Sequence, residues 1–152
     1  MINDKIHKMI SEALKARDEI RLSTYRLLAS AFNYERIAKQ HELSEEEELV
    51  VVKREAKKRK DAMEAYEKAG DLKGAKERLD RETQELAILK VFLPEEISDE
   101  ELQKIVKDAV SHTGLSGIQN MGKVMGAVMA EVKGRADGGR VSELVRKELS
   151  AD

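Results

Sequence analysis

The sequence predicts an all-α protein in which N-terminal helices and a long antiparallel helical hairpin are followed by a small three-helix bundle. The chain of 152 residues contains a single proline and few turn residues. It is rich in Glu, Lys, Ala and Leu, which have high helix propensities. Its apolar residues recur at intervals of three and four, the period of one helix face.

Composition also limits the class of function. The net charge is −2, so the charge of the whole molecule gives no support to nucleic-acid or membrane binding. The chain has no cysteine, which excludes disulfides, thiolate metal sites and cysteine nucleophiles. The amino terminus lacks a signal-peptide apolar region, and no run approaches transmembrane length. We therefore expect a cytoplasmic protein with no membrane partner.

Two amphipathic helices are predicted at about residues 2–17 and 19–40. Their inward faces are predicted to carry Ile6, Met9, Ile10 and Leu14 in the first helix, and Tyr25, Leu28, Phe32 and Ile37 in the second. Ser44 and Glu47 then have the spacing of a capping box, which predicts that a third helix starts after Ser44. The acidic run 45–48 lies where the helix dipole favours negative charge.

A heptad pattern runs through the next two helices and predicts the seam of a coiled coil. Its positions are Leu49, Val52, Ala56, Arg59, Met63 and Tyr66, then Leu72, Ala75, Leu79, Glu82, Leu86, Leu89 and Leu93. The pair Gly70-Asp71 interrupts the pattern and predicts a turn. Folding the chain at this turn brings together positions whose residue numbers add up to 141 or 142, Arg59 and Glu82 among them. We expect an antiparallel hairpin whose register is fixed by an Arg59–Glu82 ion pair.

The hairpin is predicted to end at Leu93-Pro94, because the residue before a proline leaves helical geometry. We expect one unit over residues 1–97 and a second, the three-helix bundle, over residues 98–152. A capping box at Ser98 and Glu101 opens the first helix of the bundle. The inward residues of this helix are predicted to be Leu102, Ile105, Val106 and Ala109. A last helix is predicted at about residues 138–149, with Val141, Leu144, Val145 and Leu149 facing inward.

The middle helix of the bundle is predicted at about residues 120–133. Its glycines and methionines are spaced by four residues and share one face of the helix: Gly122, Gly126, Met121, Met125 and Met129. We interpret the methionines as residues that fill the core. Gly134 is predicted to supply a left-handed stop, and Asp137 to cap the last helix.

The sequence offers no convincing catalytic or metal site. His7, His41 and His112 fall on three separate segments without a carboxylate at ligand spacing, so we expect surface or helix-end histidines. No glycine fingerprint of a nucleotide site follows a strand. The basic run 53–60 wraps around most of its helix, which favours a solvated face over a phosphate site. We expect no catalytic residue, no metal and no cofactor.

The strongest binding candidate lies near the carboxyl end, where basic residues, glycines and helix ends converge. The candidate phosphate-binding residues are Lys123, Lys133, Arg135, Arg140, Gly122 and Gly134. At the first of two helix starts, free backbone N–H groups and Lys123 could hold an oxyanion. At the second, the Asp137 carboxylate already occupies the free donors. The alternative is a tight interhelical turn whose glycines serve backbone geometry only.

Over nearly its whole length the chain resembles the YqeY-like family of small bacterial proteins, which have a helical hairpin followed by a three-helix bundle. The resemblance is carried by Arg26-Leu27, LSEEEEL at 43–49, KREAKKRKDAMEAYEKAG at 53–70, Leu93-Pro94, and the block of 121–129 with 133–138. The bundle is also similar to the tail domain of the B subunit of glutamine-dependent aminoacyl-tRNA amidotransferases. That similarity is carried by Gly126, Met129, Gly134, Ala136, Asp137, Val141 and Leu144.

The resemblance implies a tRNA-binding accessory module that is not catalytic by itself. In the amidotransferases the tail helps to hold the body of the tRNA, whereas the kinase and amidase chemistry lies in other domains and subunits. Two alternatives stay open. The chain could be an interaction module that docks a helix or an amidotransferase subunit, through the hairpin or a Gly122/Gly126 groove. By family association it could also be a component of a carbon–nitrogen ligase with glutamine as amido-N-donor.

Overall fold

A computed structural model describes residues 1–151, and these form seven α-helices and one short 3-10 helix without a strand. The α-helices are α1 Ile2–Lys15, α2 Glu19–Lys39, α3 Glu45–Ala69, α4 Ala75–Lys90, α5 Asp99–Thr113, α6 Met121–Val132 and α7 Gly138–Leu149; the 3-10 helix is Ile118–Asn120. The predicted all-α class is confirmed. The chain divides into two compact units, Met1–Leu93 and the residues from Pro94 onward.

Side-chain caps start two of the helices as predicted. At α3, the Glu47 N–H donates to Ser44 Oγ over 3.3 Å, and the Ser44 N–H donates to Glu47 Oε2 over 2.8 Å. This reciprocal pair is the predicted capping box. At α5, the Glu101 N–H donates to Ser98 Oγ over 3.2 Å, which is one half of the predicted capping box, and the Glu101 carboxylate contacts Arg135. Local sequence signals were therefore sufficient to place both helix starts.

The first unit has one apolar core, which is formed by α1, α2 and the ends of α3 and α4 remote from their turn. Its buried residues are Ile6, Leu28, Phe32, Leu43, Val51, Val52, Ala56, Leu86 and Leu89. Three predicted inward residues are exposed instead: Leu14, Ile37 and Leu72. Leu72 lies in the turn between α3 and α4, and Leu14 and Ile37 lie near the ends of their helices.

The predicted register of the hairpin is confirmed by its central ion pair, with Arg59 Nε 3.5 Å from Glu82 Oε2. A second acid, missed by the heptad pattern, lies nearer: Glu85 Oε2 is 2.7 Å from the same nitrogen. Glu85 also accepts a hydrogen bond from Arg81 Nε over 3.0 Å. Glu55, at i,i+4 spacing to Arg59, forms an ion pair with Lys58 instead, at 2.7 Å.

A buried carboxylate joins α3 to the first turn of α1. The Glu48 side chain accepts the Ile2 N–H on Oε2 over 2.6 Å and the Asn3 N–H on Oε1 over 3.2 Å. Only 1% of Glu48 is exposed. The sequence analysis placed Glu48 only among the four acidic residues of the first turn of α3, so that prediction was incomplete. The N-cap residue of α1 provides no side-chain cap, and Glu48 accepts the free N–H groups of that helix instead.

Glu47 provides a pH-dependent link between α2 and α3. Its pKa is lowered from 4.5 to about 2, chiefly by the Lys39 ammonium bonded to Oε1 at 2.9 Å and also by the Ser44 N–H. A lowered carboxyl pKa contributes stability that is present above pH 4.5 and is lost as the pH falls from 4.5 toward 2.

We therefore expect Glu47→Gln to lower the Tm modestly at pH 7, with a difference from the wild type that shrinks below pH 4.5. Thermal melts followed by circular dichroism at pH 7, 4 and 3 measure this. Glu46→Gln, the same change at an exposed residue of the same turn, is the matched control. A Tm difference for Glu47→Gln that is constant with pH would contradict the expected linkage.

The second unit has its own core, which α5, α6 and α7 enclose. Its buried residues are Ile97, Leu102, Ile105, Val106, Ala109, Val124, Val128, Val132, Ala136, Val141, Val145 and Leu149. The predicted inward faces of α5 and α7 are confirmed, with Leu144 partly buried. The predicted core face of α6 is confirmed only in part: the valines fill the centre of the core, Met121 and Met125 pack against it while partly buried, and Met129 is exposed.

The described residues offer little that could hold a metal or cross a bilayer. No cluster of three or more His, Asp or Glu side chains within residues 1–151 is placed to bind a metal ion. Within the same range no helix combines the length and apolar character that a membrane span requires. All three histidines are exposed, and the Nδ1 atoms of His41 and His112 each lie 2.8 Å from a backbone carbonyl oxygen.

Candidate nucleic-acid interface

The turn between α6 and α7, with the first residues of α7, forms a corner that we call the α6–α7 corner (residues 133–140). Lys133, the residue directly after α6, adopts the left-handed conformation with φ 47°, and Gly134 follows with φ 78°. The predicted left-handed glycine is confirmed, but a lysine precedes it in the same region of backbone space. Asp137 Oδ1 accepts the Arg140 N–H over 2.9 Å, which confirms the predicted cap of α7.

Arg135 holds the segment that precedes α5. Its Nη1 and Nη2 atoms lie 3.4 Å from the two carboxylate oxygens of Glu101, and Nε donates to the Glu95 carbonyl over 3.4 Å. In the opposite direction, the Ile97 N–H donates to the Arg135 carbonyl over 2.8 Å. The guanidinium therefore has one acid partner and one carbonyl partner within the unit.

Arg140 also binds the residues that precede and start α5. Its Nη2 donates to the Ile97 carbonyl over 3.2 Å and forms an ion pair with Asp99. We call Arg135 and Arg140, with their partners Glu95, Ile97, Asp99 and Glu101, the arginine clasp. Sequence reasoning found both arginines but missed their acid partners: Glu101 was interpreted only as the capping-box partner of Ser98, and Asp99 was given no role.

The two candidate lysines differ from the arginines because neither has an acid partner within residues 1–151. Lys133 is exposed at the corner, beside the clasp. Lys123 is exposed too, but it lies ten residues earlier on α6, about 15 Å away along the helix axis at 1.5 Å per residue. The candidate residues therefore divide between the corner (Lys133, Gly134, Arg135, Arg140) and the start of α6 (Gly122, Lys123).

The start of α6 has fewer free donors than the sequence suggests. The 3-10 helix runs directly into α6, so the Asn120 N–H bonds to the Gly117 carbonyl and the Met121 N–H to the Ile118 carbonyl. The Asn120 side chain donates to the Ser116 carbonyl over 2.7 Å and does not cap the helix. Gly122 is exposed, and its missing Cβ would meet no atom within 4 Å.

The basic run 53–60 in the first unit is largely balanced by acids. Arg54 lies 2.9 Å from Glu35, and Lys57 lies 3.2 Å from Asp61. Lys58 and Arg59 have the partners described above. This pairing favours the interpretation of a solvated, salt-bridged helix over a phosphate site.

Comparison with known proteins gives two findings. A family model described as Yqey-like protein matches residues 3–149. The E subunit of the glutamyl-tRNA(Gln) amidotransferase of Thermococcus gammatolerans is 39% identical to the chain over 57 residues. That match covers 35% of this chain and 9% of the relative, so the chain corresponds to only a small part of that protein.

Proposed function

Because the chain belongs to the YqeY-like protein family, we propose that it is a tRNA-binding accessory module, non-catalytic by itself, related to the tail domain of tRNA-dependent amidotransferases. The partial identity with a protein whose name includes glutamyl-tRNA(Gln) supports a relation to these enzymes. The observation that carries the proposal is Lys133, an exposed cation without an acid partner among the described residues, at a corner with two further basic residues.

Lys133 has a left-handed backbone conformation, which Arg17 and Gln40 also adopt among the described residues. A residue other than glycine in the left-handed region costs about 1 kcal/mol or more, and glycine usually occupies this position after a helix. Lysine recovers some of that cost by its attraction to the last carbonyls of α6. The Lys133 side chain is exposed at this corner, which suits a contact with an anionic surface.

The proposed ligand is a folded RNA. No aromatic residue follows Phe92 in the sequence, so the second unit has no platform on which single-stranded bases could stack. Lysine and arginine side chains at a helix corner instead suit the sugar-phosphate backbone of structured RNA, which is recognised by shape and charge.

Salt-dependent binding of a tRNA(Gln) transcript tests the proposal. We expect Lys133→Ala to weaken binding, and to lower the slope of log affinity against log salt by about one for the lost phosphate contact. Lys123→Ala has the same expected effect if the RNA extends along α6. Lys76→Ala removes one charge from an exposed residue of the first unit and is the matched control. Equal slopes for Lys133→Ala and the control would remove the site assignment.

A protein-docking module is the second candidate, and the face of α6 favours it. Gly122 and Gly126 lie on the accessible side of the helix, and open space surrounds the position of a Cβ at each. Glycine inside a helix costs about 1 kcal/mol relative to alanine. Within residues 94–151, no atom other than those of the chain neighbours and of the α6 backbone lies within 4 Å of either Cβ position. Purification from the native cell separates the candidates: nucleic-acid absorbance supports RNA, and a stoichiometric second protein supports docking. Glutamine hydrolysis by the pure chain would support the ligase alternative.

A further inference from the structure

We propose that the arginine clasp is exchangeable: RNA phosphates that bind at the α6–α7 corner take Arg135 and Arg140 from Glu101 and Asp99. The two acids are then competitors of the RNA, and the corner is partly self-inhibited when no RNA is bound. This inference rests on the proposed function and specifies its regulation. It also explains how arginines with acid partners can belong to a phosphate site.

The clasp contacts are weak enough to exchange. All three side-chain contacts of Arg135 measure 3.4 Å, whereas strong charge-assisted N–H···O bonds measure about 2.7–2.9 Å. The contact between Arg140 Nη2 and Asp99 Oδ1 is short, at 2.5 Å, so for this pair the exchange depends on the exposure of the carboxylate. The Glu101 side chain is 49% exposed and that of Asp99 is 83% exposed, so water screens both ion pairs. Exposed pairs of this kind contribute little, and a bidentate contact between arginine and phosphate can replace them.

The acids lose little when the arginines leave. Asp99 and Glu101 lie in the first turn of α5, where the helix dipole and free N–H groups stabilise negative charge. Ser98 already caps this helix through the Glu101 N–H. The start of α5 is therefore stable without the arginines, and the exchange leaves no carboxylate buried or stranded.

One anchor of the segment does not depend on the arginine side chains. The Ile97 side chain is 2% exposed within the core of the second unit, and its N–H bonds to the Arg135 carbonyl. Exchange therefore frees the carbonyls of Glu95 and Ile97 and the two carboxylates, while the Ile97 side chain and N–H stay in place. The clasp adjusts the binding site without unfolding the unit.

The exchange predicts that removing a competing acid strengthens RNA binding. We expect Glu101→Gln to bind a tRNA(Gln) transcript about twofold to fivefold more tightly than Glu100→Gln, which is the fold-change of one exposed ion pair. Glu100→Gln removes the same charge from the same turn of α5, at an exposed residue without an ion pair within residues 1–151. Filter binding at fixed salt, with a thermal melt of each variant, gives the comparison.

The outcomes separate the two proposals. Tighter binding by Glu101→Gln than by Glu100→Gln supports the exchangeable clasp. Equal or weaker binding by Glu101→Gln, with wild-type binding intact, overturns the clasp and leaves the proposed function standing. No binding of the transcript by the wild type overturns the proposed function, and the clasp with it. In labelled wild-type protein, the Nε–H signals of Arg135 and Arg140 are expected to shift on RNA addition.

Discussion

Replacing Glu85 by glutamine is expected to destabilise the helical hairpin by about 3 kcal/mol or more, whereas the same change at Glu82 has a small effect. The Glu85 side chain is only 6% exposed and meets two guanidinium groups, Arg59 Nε at 2.7 Å and Arg81 Nε at 3.0 Å. Arg59 Nε is buried without an aligned hydrogen bond, so it depends on the negative charge of Glu85. Without that charge, Arg59 keeps only Glu82, at 3.5 Å.

Glu82 behaves differently because its own charge is unfavourable in this place. Burial raises its pKa, the nearby Arg59 charge opposes the rise, and Glu85 adds to it. A raised carboxyl pKa means that ionisation costs stability at neutral pH, and that this cost disappears as the pH falls through the folded-state pKa toward 4.5. Glu82→Gln should therefore leave stability at pH 7 unchanged or slightly higher.

Urea unfolding at pH 7, followed by circular dichroism, compares the two variants directly. They carry the same chemical change on one helix, three residues apart, so each is the matched control for the other. If Glu82→Gln proves as destabilising as Glu85→Gln, the Arg59–Glu82 pair holds the register as much as the Arg59–Glu85 pair does, and the expected difference is contradicted.

The second large effect is expected at Glu48. Glu48→Gln should lower the free energy of unfolding by about 1–3 kcal/mol, because one of the N–H groups of Ile2 and Asn3 then faces an amide NH₂ instead of an acceptor. The loss of a negative charge at the start of α1 adds to this cost. Amide exchange of residues 2–6 should become faster than that of the rest of α1.

Glu46→Gln is the control for Glu48, since it removes the same charge from an exposed residue of the same turn. Urea unfolding gives the stability difference, and amide exchange locates it. Equal stability of the two variants, with α1 exchange unchanged, would contradict the role of Glu48 as the cap of α1.

Local signals in the sequence were enough for the starts of α3 and α5, and the turn position with the heptad period was enough for the register of the hairpin. Ser44 and Ser98 lie within three residues of their partners, so their caps are readable from spacing alone. The pairing of Arg59 with Glu82 follows from the turn position and the heptad period. Glu85 was missed because it lies outside the seam positions, yet it can reach Arg59 from the next turn of the helix.

The remaining features depend on contacts between distant parts of the chain. Glu48 bonds to α1 across 45 and 46 residues, and no local pattern distinguishes it from the three preceding glutamates. The core face of α6 was predicted only in part because its methionines and valines both recur every four residues, and only tertiary packing chooses between them. Valine, with its stiff side chain, fills the centre, and methionine covers the edge.

The residue types of the candidate site were predictable from the sequence, but the contacts between these residues were not. The basic residues and glycines near the α6–α7 corner are visible in the sequence, and so is the Asp137 cap. The partners of Arg135 and Arg140 lie 34 and 41 residues away, at the start of α5. The sequence places Lys123 at one helix start and the other three cations around the next turn, but it does not show that both arginines have acid partners and that neither lysine has one among the described residues.

The most direct test of tRNA binding at the α6–α7 corner is a residue-by-residue map of amide chemical shifts in isotope-labelled protein titrated with a tRNA(Gln) transcript at low salt. We expect the largest changes at residues 133–140, smaller changes near Lys123, and loss of both when the salt concentration is raised. Largest changes along α3 and α4, with the corner unaffected, would contradict the proposal.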